Sequence, residues 1–305
     1  MAIAKAGIRR IALWDKANTE AGIIVLTMRQ AGKLTITDKE DIKDFRNRVL
    51  PDMINFKIEA VSYDIGRPLL YYLLVHAKAD GVSTEVITRK ISTGVYDGIF
   101  SFAGDNFLGL DFEYTMSQKE RSAKIMLEAT YERDIALAIL NDAYGNNTPN
   151  DLNGFDEVSF LTDYYRPAYF SYCKYGSSDT VLFTKDQIVS RKLTVKSKGN
   201  KTVYDRTIVN MLDVLFEVEL AKSEIGDIKT FFESIPVAPK LSLQEKDPAG
   251  KSELHVFKEG VLSLSRETNI ADDSRTIKLK FQGDVPIDCV SGTDNSGSLT
   301  YNYTL

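Results

Sequence analysis

Apolar and polar residues alternate through most of this chain, in short runs separated by turn-forming residues. Between positions 109 and 115, Leu110, Phe112 and Tyr114 alternate with glycine, acidic or hydroxyl-bearing residues. Successive side chains of a strand point to opposite faces of its sheet, so this run predicts one core-facing and one polar face. The pattern predicts a mainly β (α+β) protein. Its predicted strands are 23–28, 33–37, 56–60, 84–91, 97–103, 107–115, 122–130, 181–184 and 191–197, with others within 202–220, near 253–265 and at 275–281.

Helical spacing of apolar residues appears at three places between these strands. A helix is predicted at about 66–78, where Pro68 is tolerated in the first turn, and its nearly continuous apolar surface predicts burial on most sides. A second, amphipathic helix is predicted near 224–235 and is stopped by Pro236. A third is predicted at 135–144, just before a stretch rich in Gly, Asn and Pro.

Glycine-containing turns are predicted at two points within the β regions. Ala31 and Gly32 predict a hairpin that joins strands 23–28 and 33–37, and a further turn is predicted at 198–200.

Similar blocks of residues recur in a second segment of roughly 110 residues, displaced from the first by about 160 positions. Each matched pair of blocks is a weak signal, but the pairs follow one another in the same order. We infer a duplication and predict a first domain at 1–131, a linker and helix at 132–158, a second domain at 159–290 and a C-terminal arm at 291–305. The matched blocks are 33–36 with 192–195, 56–59 with 216–219, 97–102 with 259–264, and 121–125 with 275–279.

Composition and charge narrow the classes of protein that fit this chain. With 305 residues and 43% hydrophobic content, it is long enough for two domains that each bury a core. A net charge of −5 gives no general attraction to nucleic acid or to anionic membranes. The N-terminus lacks the apolar core of a signal peptide and no run is long enough to span a bilayer, so synthesis in a cytoplasm without membrane insertion is expected.

Residues suited to catalysis or metal binding are sparse and scattered. His76 and His255 have no partner at ligand or triad spacing, and Cys173 and Cys289 are too few for a disulfide framework or a zinc site. No known catalytic motif is present. We therefore expect no catalytic residue, metal or cofactor, although an enzyme of unfamiliar type remains an alternative.

A tyrosine cluster lies before the first predicted strand of the second unit, 181–184, and favours a half-buried strand or an interface over a platform that stacks on sugars or bases. The C-terminal arm alternates apolar and polar residues from 299 to 305, after a flexible stretch at 291–297, and is predicted to add a strand to a neighbour's sheet edge. The clustered tyrosines are Tyr164, Tyr165, Tyr169, Tyr172 and Tyr175.

The run 97–104, continuing through 108–115 to 119–128, resembles phage tail tube proteins and their relatives in contractile injection systems. Like them, it has a glycine-led strand, a strand with aromatic and acidic residues, and a charged turn before an Arg-Ser-x-Lys strand. The resemblance implies tail-tube-like β-sandwich or open-barrel domains, each with one flanking helix. The common tube subunit carries one such domain, and this chain carries two in tandem.

Tube rings of this family contain six copies of the fold, so the resemblance implies self-assembly into trimeric pseudo-hexameric or hexameric rings that stack. It also implies a virion tail location, sheath, baseplate and tape-measure proteins as further partners, and transit of DNA without sequence-specific binding. Asp111, Glu113, Lys278 and Lys280 are the implied lumen-facing residues, the two acids being expected to repel DNA phosphates. Ring-to-ring contacts are expected from the loops 38–48 and 196–206, with Asp38, Lys39, Glu40, Asp41, Arg46, Arg48, Lys198 and Lys201 as candidates.

Two other functions fit the same pattern. A baseplate hub or tail-end ring protein would use the same doubled fold but stop at one ring. A β-rich carbohydrate- or peptide-binding module would use the tyrosine cluster as its platform.

Overall fold

The computed structural model describes residues 6–14, 24–39, 53–63, 70, 73–74, 83–90, 96–102, 107–117, 121–145, 169–175, 180–201, 207–221, 230–231, 233, 240–246, 252–258, 261–268, 276–295 and 301–304. Over these residues the protein is mainly β, as predicted, and its longest helix is α1, Arg133–Gly145. The strands are β1 Ala6–Trp14, β2 Ile24–Lys39, β3 Met53–Tyr63, β4 Ser83–Lys90, β5 Tyr96–Phe102, β6 Phe107–Ser117, β7 Arg121–Glu132, β8 Tyr169–Tyr175, β9 Thr180–Thr184, β10 Ile188–Lys201, β11 Thr207–Ala221, β12 Leu241–Lys246, β13 Ser252–Phe257, β14 Val261–Thr268, β15 Thr276–Pro286, β16 Val290–Asn295 and β17 Tyr301–Thr304.

Eleven strands form one antiparallel sheet in the order β14-β15-β11-β10-β6-β7-β3-β2-β1-β4-β5. Six others form a second antiparallel sheet in the order β17-β16-β13-β12-β8-β9. We call the eight strands from β14 to β2 the long sheet. Strand β10 pairs with β6, so this sheet runs without a break through both predicted units.

The core lies against one face of the long sheet. Along β3, β6, β7 and β11, every second side chain is buried, as the alternation predicted. Phe183 of β9 stacks on Phe216 of β11 at a ring-centroid distance of 6.4 Å, and Phe216 also contacts Phe281 of β15 at 6.0 Å. The second sheet therefore packs on the core face of the long sheet.

Helical residues cover other parts of the same core. Leu70, Leu73 and Leu74 are helical and buried, in agreement with the predicted buried helix. In the second predicted helix, Phe231 packs against the core while Glu233 is exposed, so the described part is amphipathic. The predicted third helix is confirmed as α1.

The strand pairings of the first half recur in the second half in the same order. Strand β1 pairs with β2 and β4, and β4 with β5; likewise β8 pairs with β9 and β12, and β12 with β13. The series β2-β3-β7-β6 likewise matches β10-β11-β15-β14. Strand β9 therefore corresponds to the first part of β2, and β10 corresponds to its last part.

The predicted hairpin at Ala31 and Gly32 is wrong, because 24–39 is one continuous strand. Its first part pairs with β1 and its last part with β3, and the registers of both pairings shift between positions 27 and 33. The small residues therefore lie at an irregularity where β2 passes from one group of partners to the other.

One matched block of the sequence repeat is also wrong. The blocks in β2 and β10, in β3 and β11, and in β7 and β15 lie on strands with equivalent pairings, but 97–102 lies in β5 and 261–264 in β14. By its pairing, β14 is the counterpart of β6, since both form a hairpin with the following strand. Short alternating runs after a glycine fit several strands equally well, so this block aligned to the wrong one.

Several smaller predictions also need correction. Residues 198–200 lie inside β10, where the register against β11 shifts, and do not form a turn. The strands predicted near 253–265 are β13 and β14, and β14 extends to Thr268. The stretch 291–297 was expected to be flexible, yet Val290–Asn295 forms β16. Strand β17 pairs with β16 of the same chain, so the predicted arm extends its own sheet and not a neighbour's.

Candidate functional site

The polar face of the long sheet is the face opposite the core, and it gathers all four predicted lumen residues. Asp111 and Glu113 alternate with buried residues along β6, and Lys278 and Lys280 do the same along β15. The continuous sheet places both pairs on one surface although they are far apart in sequence. Alternation of apolar and polar residues predicted that these side chains lie on a polar face. The sequence did not predict which strands lie between β6 and β15 in the sheet.

Opposite charges face one another across the junction of β6 and β10. Glu113 lies opposite Lys124 on one side and Lys196 on the other, and each lysine Nζ is 3.6 Å from a Glu113 carboxylate oxygen. Glu113 is thus balanced by two cations. These pairs are partly exposed, so each contributes little to stability on its own.

The same row of the polar face continues into β11 and β15, where Asp213 and Asp284 lie directly opposite each other. Lys198 forms an ion pair with Asp284. The pKa of Lys198 is raised, first by its hydrogen bond with Asp284 and then by the charges of Asp284 and Asp213. The lysine therefore offsets the repulsion between two neighbouring carboxylates, and this predicted ring-to-ring residue is already engaged within its own chain.

Glu219 of β11 is held by two hydroxyl donors. Thr276 Oγ1 donates to one carboxylate oxygen at 2.6 Å, and Ser190 Oγ donates to the other at 3.0 Å. The pKa of Glu219 is lowered, chiefly by the hydrogen bond from Thr276 and less by that from Ser190 and by the charge of Lys278. This carboxylate ties β10, β11 and β15 together across the polar face.

Lys57 and Glu59 form a local ion pair along β3, with Nζ 2.9 Å from the carboxylate. Their mutual hydrogen bond raises the pKa of Lys57 and lowers the pKa of Glu59. Acidic and basic side chains are therefore interspersed over the described polar face. The face is not the acidic lining that Asp111 and Glu113 alone would provide.

Ser197 closes one end of the junction between β6 and β10. Its Oγ accepts a hydrogen bond from the Phe112 backbone N–H at 2.8 Å. The same hydroxyl lies 3.2 Å from the Asp111 carboxylate and from the Phe112 carbonyl oxygen, either of which can accept its proton. The serine therefore continues the pairing beyond the last regular pair, Lys196 with Glu113.

Two shallow hollows lie along the polar face. One of about 940 Å³ lies over β2, β3, β7, β6 and β10. The other, of about 530 Å³, lies over β10, β11, β15 and β14. Both hollows lie on the side away from the second sheet and the helices.

Both ends of the long sheet have unpaired outer edges within the part of the chain that the structure describes. Strand β14 pairs only with β15, and positions 33–39 of β2 pair only with β3. Ile36 lies on the core side of this second edge and is 40% exposed, whereas Val195, at the matching place in β10, is 0% exposed because β6 covers it. The sequence did not predict that Ile36 is exposed. The available signal was its alignment with Val195 in the sequence repeat, which identifies the two residues as equivalent and so allows their burial to be compared.

The predicted ring-to-ring residues that the structure describes lie at one rim of the long sheet. Strands β2 and β10 run in the same direction, because an even number of antiparallel steps separates them. Their carboxyl ends, with Asp38 and Lys39 on β2 and Lys201 on β10, therefore lie at the same rim. The remaining candidates, Glu40, Asp41, Arg46 and Arg48, lie outside the described residues.

Among the described residues, the other side chains that could take part in catalysis or metal binding do not come together in a site. Within the described ranges, no three His, Cys, Asp or Glu side chains come together in a way that would hold a metal ion. His255 of β13 is buried at 2% exposure, and Cys289 is a half-buried thiol. His76 lies outside the described residues.

The tyrosine cluster is only partly described. Tyr169, Tyr172 and Tyr175 lie on β8, between β9 and β12, as the prediction of a strand required. Tyr164 and Tyr165 lie outside the described residues. None of the helices in the described part of the chain is long and apolar enough to cross a membrane.

Comparison with known proteins adds no family assignment. No protein-family model matches the chain, and a search of curated proteins gives no significant match.

Proposed function

We propose that this chain is a structural subunit of a ring, built from two tandem tail-tube-like β-sandwich domains, and that stacked rings form the conduit of a virion tail. In this proposal the protein is not an enzyme, and its main partner is itself. The resemblance to tail tube proteins supplies the class of assembly, and the strand pairing of the long sheet supplies the physical support.

The observation that carries the proposal is the internal junction between β10 and β6. It joins two series of strands with the same order, β2-β3-β7-β6 and β10-β11-β15-β14, with the first strand of one beside the last strand of the other. A head-to-tail contact of this kind can be repeated between chains, because the outer edges of β14 and of the last part of β2 have no partner strand in the described part of the chain. Repetition closes a ring when the rotation from one chain to the next divides a full turn evenly, and closure would also remove the exposed sheet edges.

The size of such a ring follows from strand geometry. Three chains that each contribute the long sheet would give a wall of about 24 strands, with six equivalent four-strand units. With strands about 4.8 Å apart and tilted by about 40°, the backbone diameter is roughly 48 Å. Barrels with fewer strands already leave an open aqueous channel, so a ring of this size has a lumen wide enough for a nucleic-acid duplex.

The polar face lines the lumen in this arrangement. The second sheet and the helical residues pack on the opposite, core face, and the two shallow hollows lie on the polar face. Its interspersed charges include the ion pairs of Glu113 with Lys124 and Lys196. Because affinity for DNA grows with the number of phosphates neutralised by unpaired cations, a lining of paired charges binds DNA weakly and lets it pass.

Negative-stain electron microscopy and light scattering of the purified chain test the proposal. We expect rings with the mass of three chains, and at high protein concentration stacks of such rings. Rings that never stack would instead favour the hub or tail-end role. A particle with the mass of one chain at every concentration would refute the assembly.

A further inference from the structure

We propose that neighbouring chains join by antiparallel pairing of the outer edge of β14 in one copy with positions 33–37 of β2 in a second copy, with Glu267 opposite Lys33. This inference rests on the proposed function, since it names the contact by which a ring closes. It makes a narrower claim, because a ring could also close through other surfaces.

The internal junction supplies the template for this contact. Residues 192–196 of β10 pair with 113–117 of β6 inside each chain. Positions 33–37 are the counterpart of 192–196 in the sequence repeat and in strand pairing, and β14 is the counterpart of β6. The two free edges of the chain are therefore the counterparts of the two strands that form the internal junction. The register proposed here is set by the charges of Lys33 and Glu267 and is not carried over from that junction, where Glu113, the counterpart of Glu267, lies opposite Lys196.

The difference in burial between two equivalent apolar residues also indicates that a strand equivalent to β6 binds at the open edge of β2. Val195 is fully buried because β6 lies beside it, while Ile36 is 40% exposed on the core side of the open edge. A strand added beside β2 would cover Ile36 as β6 covers Val195. A second copy of this chain carries such a strand, β14, whose outer edge has no partner strand in the described part of the chain.

The proposed register follows from the two faces of the sheet and from charge. The polar-face residues of β14 lie opposite Lys278, Lys280 and Gln282 of β15 and are exposed. A shift by one residue would turn them toward the core, and a shift by two would separate Lys33 from Glu267. The proposed opposite pairs are Lys33 with Glu267, Thr35 with Ser265, and Thr37 with Ser263.

Engineered disulfide bonds test the pairing directly. In a Cys173→Ser/Cys289→Ser background, the pair Thr35→Cys and Ser265→Cys should form a covalent link between chains under mild oxidation, seen as multimers on a non-reducing gel. Within one chain the two positions lie seven strand spacings apart, roughly 34 Å, so they cannot form a bond whose Cα atoms must be about 6 Å apart. Each single cysteine variant, and Thr37→Cys with Ser265→Cys, are the matched controls and should cross-link at least about ten-fold less.

The outcomes separate this inference from the proposed function. Rings in the microscope without the Thr35–Ser265 link, or with a stronger link in the shifted control, would overturn the pairing and leave the ring intact as a proposal. Single chains without any link would overturn both.

A substitution at Ile36 provides a second, independent measurement. Ile36→Asp places a charge on a residue that is partly exposed in the single chain and buried in the proposed contact. The protein concentration at half-assembly should rise at least about ten-fold, while the circular dichroism spectrum stays that of the parent. Ile36→Val, which restores the residue found in β10, should assemble like the parent. Unchanged assembly of Ile36→Asp would contradict the inference.

Discussion

Glu219 couples the stability of the long sheet to pH through the hydroxyls of Thr276 and Ser190. Its folded-state pKa is lowered from the ordinary value of 4.5, so the carboxylate stabilises the fold above that value. This contribution is lost as pH falls from about 4.5 through the lower folded-state pKa. Because the side chain is partly exposed, water screens part of the effect.

Glu219→Gln should therefore lower the Tm at pH 7, and the difference from the parent should shrink as pH falls below about 4.5. Thermal unfolding followed by circular dichroism between about pH 3 and pH 7 measures this. Thr276→Val removes the largest cause of the shift and should reproduce the loss. A Tm difference that stays constant over this range would show that Glu219 has no role in acid unfolding.

Single residues also mark the limit of what the sequence could predict about the site. Alternation placed Asp111 and Glu113 on a polar face, and the structure agrees. The partners of Glu113, Lys124 and Lys196, come from two different neighbouring strands. Which strands become neighbours depends on pairing between distant segments, and that information is not contained in local alternation.

Secondary-structure elements were predictable where local pattern and pairing agree. Strands β3, β5, β6 and β7 and helix α1 lie where alternation or helical spacing placed them. The hairpin in β2 failed because Ala31 and Gly32 lie between two sets of partner strands that hold the chain extended on either side. At this point, pairing with distant strands outweighs the local preference of Ala31 and Gly32 for a turn.

Val195 and Ile36 allow a matched comparison of two equivalent strands. In single chains, Val195→Ala should reduce the free energy of unfolding by about 2 kcal/mol, because it removes buried methyl groups and leaves a cavity. Ile36→Ala should cost less than about 1 kcal/mol, because Ile36 is already 40% exposed. Urea unfolding at a protein concentration below that of assembly measures both. Equal losses would mean that the edge of β2 is covered within the single chain.

At the scale of the whole molecule, the repeated strand order explains how one chain would provide two equivalent units of the proposed ring wall. Three of the four matched sequence blocks lie on equivalent strands, although their pairing registers differ by two residues: Lys33 lies opposite Glu59, and Lys192 opposite Glu217. A shift of two residues keeps every side chain on its face. The faces of the sheet are therefore preserved even where the individual contacts are not.

The rim that carries the carboxyl ends of β2 and β10 leads to a last prediction, on stacking. The predicted ring-to-ring residues Asp38, Lys39 and Lys201 lie at the strand ends on this rim, and in the proposed stack their opposite charges would pair neighbouring rings through ionic contacts. Such contacts are screened when the Debye length falls to about 3 Å at about 1 M salt. Pairing between β14 and β2 depends instead on backbone hydrogen bonds and apolar burial, which salt does not screen. Raising the salt concentration should therefore shorten the stacks while the rings keep their mass.

Tube lengths in negative-stain images and ring mass by light scattering, both followed over a salt series, measure the two contacts separately. Lys201→Glu should shorten the stacks at low salt without changing the ring. Lys57→Gln, on the polar face and away from the rim, is the control and should stack like the parent. Rings that dissociate in parallel with the stacks would show that both contacts are ionic, and would contradict strand pairing as the ring-closing contact.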